Sequence, residues 1–505
     1  MSADVVNGLL QSIAPSSLTA TVIGAFLGLV VGMIPGLTIS MGIIVVLPLT
    51  FVLDPNVSIA LLLGLYVAGM TGGSFSAILL NIPGTPSAAA TAIDGYQLAR
   101  GGEAGRALGV AIASSFAGGM VSFLCLYFVA PSLAELALSF TAADLFCLVL
   151  FGLTLICSFA SRSLIKGLLA AATGLAIATV GQDFVMGTQR FTFGEPALLS
   201  GIHFLTALIG LFAIPQLVDN LRTDASGTAP ARAAASVRSL LPRLGDLIQI
   251  RVPLMIGSLT GALLGVLPGA GGPIAAFLSY DYAKKLSPSP ERFGKGAIGG
   301  VSAPEAANNA VAGGALVPMM TLGIPGDPVT AILIGALLVH GLAPGPLLFL
   351  ENGAFAYGII FSFLWANVFN LLIALLAIRF LVGLLRAPKF ILMPMIGLLC
   401  VIGSYALRNS LFDVYVMFAF GLIGLAMRWL KVPVIPLLLA LVLGPQFEEH
   451  LRVALTGSQG DIRVFFTTPF SLLFLCLSAV SLGWSLWAAG RQAALSREAA
   501  GRPAE

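Results

Sequence analysis

Residues 81–87 read Asn-Ile-Pro-Gly-Thr-Pro-Ser, and residues 323–330 read Gly-Ile-Pro-Gly-Asp-Pro-Val-Thr. Each stretch interrupts an apolar run that would otherwise continue as helix. Proline removes a backbone donor and clashes with the preceding turn, and with glycine beside it the helix is expected to break there. At membrane depth, broken backbone is tolerated only where protein or a water-filled cavity surrounds it. A pair of such interruptions in corresponding places marks a solute site between repeats.

The rest of the chain supplies the membrane setting. Of 505 residues, 58% are hydrophobic and 9% charged, and the mean hydropathy is +1.01. Soluble domains carry about 25% charge. The expected class is an all-α polytopic membrane protein, since barrel strands alternate polar and apolar residues and give a weaker signal. The net charge of +3 leaves no basic footprint for nucleic acid. Cys125, Cys147, Cys157, Cys400 and Cys476 lie scattered in apolar runs and read as small core residues. No Lys or Arg occurs in the first sixteen residues, so no cleavable signal peptide is expected.

Residues 5–53, 57–80, 107–134, 352–378 and 464–490 contain no Asp, Glu, Lys or Arg. The first is long enough for two crossings of about 20 residues each. With weaker candidates between them, roughly 12 transmembrane helices are expected, plus broken-helix or re-entrant hairpins. Segment 432–446, with three prolines, reads as re-entrant or as a surface turn. Residues 222–251 carry five arginines among Ala, Ser, Gly and Pro and read as a linker, cytoplasmic by the positive-inside rule. The expected organisation is a first membrane repeat at 1–221, a second at 252–463, a final transmembrane helix at 464–490 and a cytoplasmic tail at 491–505.

Two motifs recur in the same order. Gly28-Leu-Val-Val-Gly-Met-Ile-Pro-Gly matches Gly261-Ala-Leu-Leu-Gly-Val-Leu-Pro-Gly, an offset of 233 from Pro35 to Pro268. The second break repeats at an offset of 242 from Pro83 to Pro325, with Gly72-Gly73 and Gly313-Gly314 upstream. Two ordered matches imply an internal duplication, expected to be inverted.

At the first break, Pro83 ends a helix and Gly84 turns the chain. Thr85 is a suitable cap, Pro86 suits the first helical position and Ser87 opens the next helix. Free amides and the positive dipole end would then attract an anion. Asn81, Ser74 and Thr38 are candidate contributors to that site, and a structural kink is the plainer reading. In the second half Gly326 turns the chain and Asp327 takes the capping place. Asp327 is the single Asp, Glu, Lys or Arg between 306 and 350. An acid there serves as cap or as ligand for Na⁺ or a proton. Glu305, Asn308 and Asn309 precede it in a small-residue segment and are further coupling-ion candidates, although asparagines also join helices in lipid. His203, His340 and His450 lack zinc spacing, so no metal beyond Na⁺ and no cofactor is expected.

The stretches at 28–51, 72–111, 265–285 and 294–328 closely resemble the large membrane subunit of tripartite tricarboxylate transporters, the TctA type. That resemblance implies a bacterial inner-membrane uptake system driven by Na⁺ or H⁺. It implies a small membrane subunit and a periplasmic substrate-binding protein as partners, and an organic anion such as a di- or tricarboxylate as substrate. Gly28, Gly32, Pro35 and Gly36 carry the family pattern, whereas Ala270-Gly271-Gly272 departs from it in the second half. Two other readings exist. Asp281 and Asp327 faintly resemble the paired acids of intramembrane aspartyl proteases, which must lie close together, and broken helices also line passive channels. Protease added on the cytoplasmic side is expected to cut within 222–251, and cleavage solely from outside would reverse this topology.

Overall fold

The computed structural model describes residues 2–34, 37–160, 164–183, 186–222, 242–269, 271–384 and 389–500. Pro35, Gly36 and Ala270 thus lie outside the described residues, as do 223–241 of the expected linker and 501–505 of the expected tail. The described chain forms nineteen α-helices and one two-stranded ribbon. In chain order they begin with α1 (Ser2–Ser12), α2 (Pro15–Met33), α3 (Ile39–Thr50), α4 (Pro55–Leu80), α5 (Ala88–Arg100) and α6 (Ala104–Ala137). Then come α7 (Ala142–Ala160), α8 (Leu164–Ala178), the ribbon Gly181–Gln182 with Gln189–Arg190, and α9 (Phe204–Arg222). The later helices are α10 (Leu244–Val266), α11 (Gly271–Lys285), α12 (Ile298–Leu322), α13 (Pro328–Val339), α14 (Pro346–Glu351) and α15 (Gly353–Leu384). Last are α16 (Lys389–Ala406), α17 (Leu411–Trp429), α18 (Val434–Gly457) and α19 (Pro469–Ala500).

Among the described residues, eight helices are long and apolar enough to span a membrane, fewer than the dozen the sequence suggested. Of the other apolar helices, α3, α8 and α13 have 12, 15 and 12 residues, and at 1.5 Å per residue these three do not reach across a core of about 30 Å. The linker ends sooner than expected, because residues 244–251 are the first two turns of α10. Asp246 accepts from the Arg243 N–H at 3.1 Å and secures that start. Segment 432–446 is not a turn: from Val434 onward it is the first half of the 24-residue α18, which is long and apolar enough to span a membrane. Pro433 precedes that helix and Pro436 falls in its first turn, where a missing N–H costs nothing.

The chain forms two compact units, residues 1–137 with 212–410 and residues 138–211 with 411–505. In the second unit, Asp144 accepts from the hydroxyls of Thr468 and Ser471 at the start of α19. Arg190 forks onto Glu448 at 2.7 and 3.1 Å. These polar ties hold helix ends together.

The first unit is built on two close helix pairs. Gly24, Gly28 and Gly32 of α2 lie against the backbone of Leu61, Leu65 and Gly69 of α4, and Gly72 of α4 returns against Leu29. Gly257, Gly261 and Gly265 of α10 lie against Ala303, Ala307 and Val311 of α12, and Gly314 returns against Ala262. A Cβ at any of these glycines would come closer than 3.0 Å to a backbone carbonyl of the partner helix. Small residues permit such approach, the main source of helix affinity in lipid. Both α4 and α12 are buried along almost their whole length. Each ends in a left-handed residue, Asn81 at φ 56° and Gly323 at φ 68°.

Gly28→Ala is expected to lower stability by about 1–3 kcal/mol, because the new methyl meets backbone that cannot swing aside. This exceeds the ~1 kcal/mol that alanine gains over glycine in a helix. Gly457→Ala, with open space around it, should be neutral or better. Thermal unfolding of the purified protein in detergent checks this, and equal midpoints would show that α2 and α4 separate without penalty.

Candidate functional site

The first break lies on the α2–α4 pair. The Gly84 N–H donates to the Gly73 carbonyl at 3.2 Å. A Cβ on Gly84 would strike the Gly32 carbonyl and come within 2.8 Å of Ser76 Oγ, so glycine is required by space. Thr85 is buried and packs onto Gly73. Its hydroxyl accepts from the Ala88 N–H at 3.4 Å, a long contact. The next amides bond three residues back, Ala88 to Thr85, Ala89 to Pro86 and Ala90 to Ser87, at 3.1–3.4 Å. The break therefore leads into a 3₁₀ turn, and α5 proper begins at Ala88. This moves the helix start beyond Pro86, where the sequence placed it. Ser87 precedes α5 in helical geometry and makes no capping bond of its own.

The second break lies on α10 and α12. The Gly326 carbonyl accepts from the Gly269 N–H at 3.0 Å, and a Cβ on Gly326 would meet Ala315 at 2.7 Å and the Gly265 carbonyl at 3.0 Å. Asp327 caps α13 as expected. The Thr330 N–H donates to its Oδ1 at 2.8 Å, and the Asp327 N–H donates to Thr330 Oγ1 at 2.9 Å. The other carboxylate oxygen accepts from Tyr66 Oη at 2.5 Å. Tyr66 and Asp327 are both buried.

A polar cluster joins α4 and α12 in a buried setting. Glu305 is fully buried and accepts from Thr91 Oγ1 at 2.5 Å and Ser115 Oγ at 3.2 Å. Ser74 also borders this carboxylate while donating to the Thr71 carbonyl at 2.7 Å. Asn309 accepts from Thr71 Oγ1 at 3.1 Å and donates to the Glu305 carbonyl at 3.1 Å. Asn370 donates to Thr71 Oγ1 at 2.8 Å, and Asn308 donates to the Met70 carbonyl at 3.3 Å. The amide oxygens of Asn308 and Asn370 are buried with no partner. A Cβ on Gly272 would meet both Ser87 Oγ and Asn308 Oδ1, so these two side chains converge.

The structure thus assembles Glu305, Asn308, Asn309 and Ser74 into one cluster, with Ser87 at its edge, and joins Asp327 to α4 through Tyr66. It separates others. Thr38 caps α3, accepting from the Met41 N–H at 3.2 Å. Asn81 and Pro86 are exposed and Pro83 is half-buried. Tyr66, Thr71, Thr91, Ser115 and Asn370 were missed. Only Asn370, an amide within an apolar helix, carries a sequence signal of its own. The paired-acid reading fails: Asp281 is half-exposed and bound to Lys285 at 2.5 Å, whereas Asp327 is bound to Tyr66 and Thr330. Among the described residues, no three His, Cys, Asp or Glu gather to hold a metal.

A family model described as the tripartite tricarboxylate transporter TctA family matches residues 18–439. An Agrobacterium vitis protein, described as an uncharacterized 52.8 kDa protein in the TAR-I ttuC' 3'region, is 40% identical over 475 residues, covering 94% of each chain. A second protein of that organism, described as uncharacterized in the TAR-II ttuC' 3'region, is 43% identical over 220 residues, covering 44% of this chain and 91% of its own. No solved structure matches. With interrupted helices and polar side chains buried among apolar spans, the chain belongs to the tripartite tricarboxylate transporter TctA family, a family of transport components and not of enzymes.

Proposed function

We propose that this multi-pass protein is the large permease subunit of a binding-protein-dependent tripartite system. It takes up an organic anion, a di- or tricarboxylate, coupled to Na⁺ or H⁺. A small membrane subunit and a periplasmic substrate-binding protein work with it at the bacterial inner membrane, and the linker and C-terminus face the cytoplasm. The observation that carries this reading is the reach of each long helix to the other's break. Tyr66 of α4 holds Asp327, and Asn308 of α12 stands beside Ser87.

The packing supports duplication. Gly24, Gly28 and Gly32 map onto Gly257, Gly261 and Gly265 at the offset of 233. Their partners Leu61, Leu65 and Gly69 map onto Ala303, Ala307 and Val311 at 242. Gly72 then corresponds to Gly314, one residue away from the match the sequence suggested. Inversion has support as well. Tyr66 meets Asp327, Thr71 meets Asn309 and Ser74 borders Glu305, so α4 advances as α12 and its break recede.

The two breaks divide the work. The N-terminal end of α5, at Thr85 and Ser87, carries the positive dipole with only a weak cap, which suits a carboxylate. At the other break, Asp327 already occupies the equivalent place and repels an anion. The coupling ion belongs with Asp327, Glu305, Asn308 and Asn309. Na⁺ favours oxygen ligands, and the unpartnered oxygens of Asn308 and Asn370 beside Met70 and Thr71 offer them. A proton would instead reside on Glu305 or Asp327.

Uptake in proteoliposomes containing all three subunits tests this. Thr85→Val should lower uptake about tenfold, as for one lost polar contact of about 1–3 kcal/mol, with the amount of folded protein unchanged. Unaltered uptake would remove Thr85 from the substrate site. Asp327→Asn should change the Na⁺ or pH dependence of uptake, and unchanged profiles would reduce Asp327 to a cap. Absence of counterflow in the unaltered system would identify a pore instead of a carrier.

A further inference from the structure

The first unit holds a cavity of about 480 Å³ at one end of its helices, with no residue of either break in its lining. It lies between the first turns of α10, the end of α11 and the loop that leads into α12. Three arginines line it: Arg106, Arg251 and Arg292. Arg106 is neutralised, because its guanidinium donates to Asp246 at 2.5 and 3.0 Å and to Glu103 at 2.6 Å. Arg251 and Arg292 have no acidic partner among the described residues, although exposed Glu291 adjoins Arg292 in sequence. Two guanidiniums facing a cavity create a demand for an anion, and their planar forks suit phosphate.

The walls limit which anion. Ile248, Val252 and Leu286 belong to the lining and are themselves exposed. From Ile248 and Val252 an apolar stripe continues down α10 through Met255, Leu259 and Leu263, at spacings of three and four residues, and all are more than half exposed from Met255 onward. The opposite face of α10 carries Gly257, Gly261 and Gly265 against α12, so the stripe points outward. On α11, exposed Tyr282 and Leu278 continue from Leu286 at spacings of four. A basic cup that opens onto two outward apolar stripes fits a molecule with a phosphate head and hydrocarbon tails. Basic pockets between helices at the cytoplasmic boundary hold such headgroups.

We propose that this cavity binds the headgroup of an anionic phospholipid, with its acyl chains along α10 and α11. The phosphate lies between Arg251 and Arg292, and Arg106 stays fixed to Asp246 as part of the wall. This site is independent of the solute site and of the transport reading.

Native mass spectrometry of the full-length chain tests it, with phosphatidylglycerol and phosphatidylcholine of matched acyl chains as probes. The unaltered chain should retain phosphatidylglycerol at about thirtyfold lower concentration, as expected for two arginines near an anionic headgroup. Arg251→Gln combined with Arg292→Gln should abolish that preference, and Arg251→Lys with Arg292→Lys should keep most of it. Equal retention of the two lipids by the unaltered chain overturns the proposal without any variant. So does a preference that survives the double glutamine change. Displacement of the lipid by excess glycerol 3-phosphate would assign the cavity to a soluble phosphate, and displacement by citrate would assign it to the carboxylate path. Either result overturns the lipid assignment.

Discussion

The contact of backbone on backbone, α2 against α4 and α10 against α12, is the constraint that the geometry of both breaks depends on. Lipid offers no hydrophobic reward for bringing two apolar helices together, so attraction must come from close packing. Glycine at every fourth position of α2 and α10 allows that packing. The same closeness satisfies the broken backbone. Gly84 donates to the Gly73 carbonyl, and the Gly326 carbonyl accepts from Gly269. If those helices stood farther apart, the polar groups of each break would face hydrocarbon unpaired, at a cost of several kcal/mol each.

With the backbone alike at both breaks, chemistry separates them. A helix N-terminus carries a partial positive charge of about half a unit. At α13 this charge is met by the Asp327 carboxylate, which is held in a reciprocal cap and by Tyr66. At α5 it is met by one hydroxyl at 3.4 Å. The positive end of α5 is therefore the less compensated of the two. Within the same cluster, Glu305 has its oxygens covered by the hydroxyls of Thr91 and Ser115, while Asn308 and Asn370 keep oxygens uncovered. Donors thus gather on the carboxylate, and open acceptors gather around Met70 and Thr71.

Much of this was legible in the sequence for physical reasons. The membrane class follows from composition, since so few charges cannot cover a soluble surface. The breaks follow from Pro-Gly chemistry, and Asp327 from the rarity of acids in apolar segments. Other features were not legible. Tyr66 sits in an apolar run where tyrosine is an ordinary packing residue, and its partner is 261 positions away. Thr91 and Ser115 resemble hydroxyls that bond to their own helix. The α10 start was misjudged because charges near a helix end imitate a loop, and the α18 start because its prolines imitate a break. The pairing of Gly72 with Gly314 needed the packing partners, because adjacent glycines make register ambiguous.

The first break also stands where the chain crosses between two sets of contacts. Before it, α4 is fixed to α2 by the glycine row. After it, α5 is fixed to the other half of the unit. Asp94 of α5 is fully buried and accepts from Tyr280 Oη at 2.8 Å and from the amides of Gly294, Gly296 and Ala297 at 2.7–2.9 Å. Thr91, one turn earlier, donates to Glu305 of α12. Four donors on one buried carboxylate make a strong tie, since charge-assisted hydrogen bonds have about twice the strength of neutral ones. Residues 81–87 therefore connect a helix packed on α2 with a helix tied to α12 and to the loop before it, within one compact unit. The position of the α5 N-terminus is thus set from both sides, by the Gly84 amide on Gly73 and by the Asp94 and Thr91 contacts.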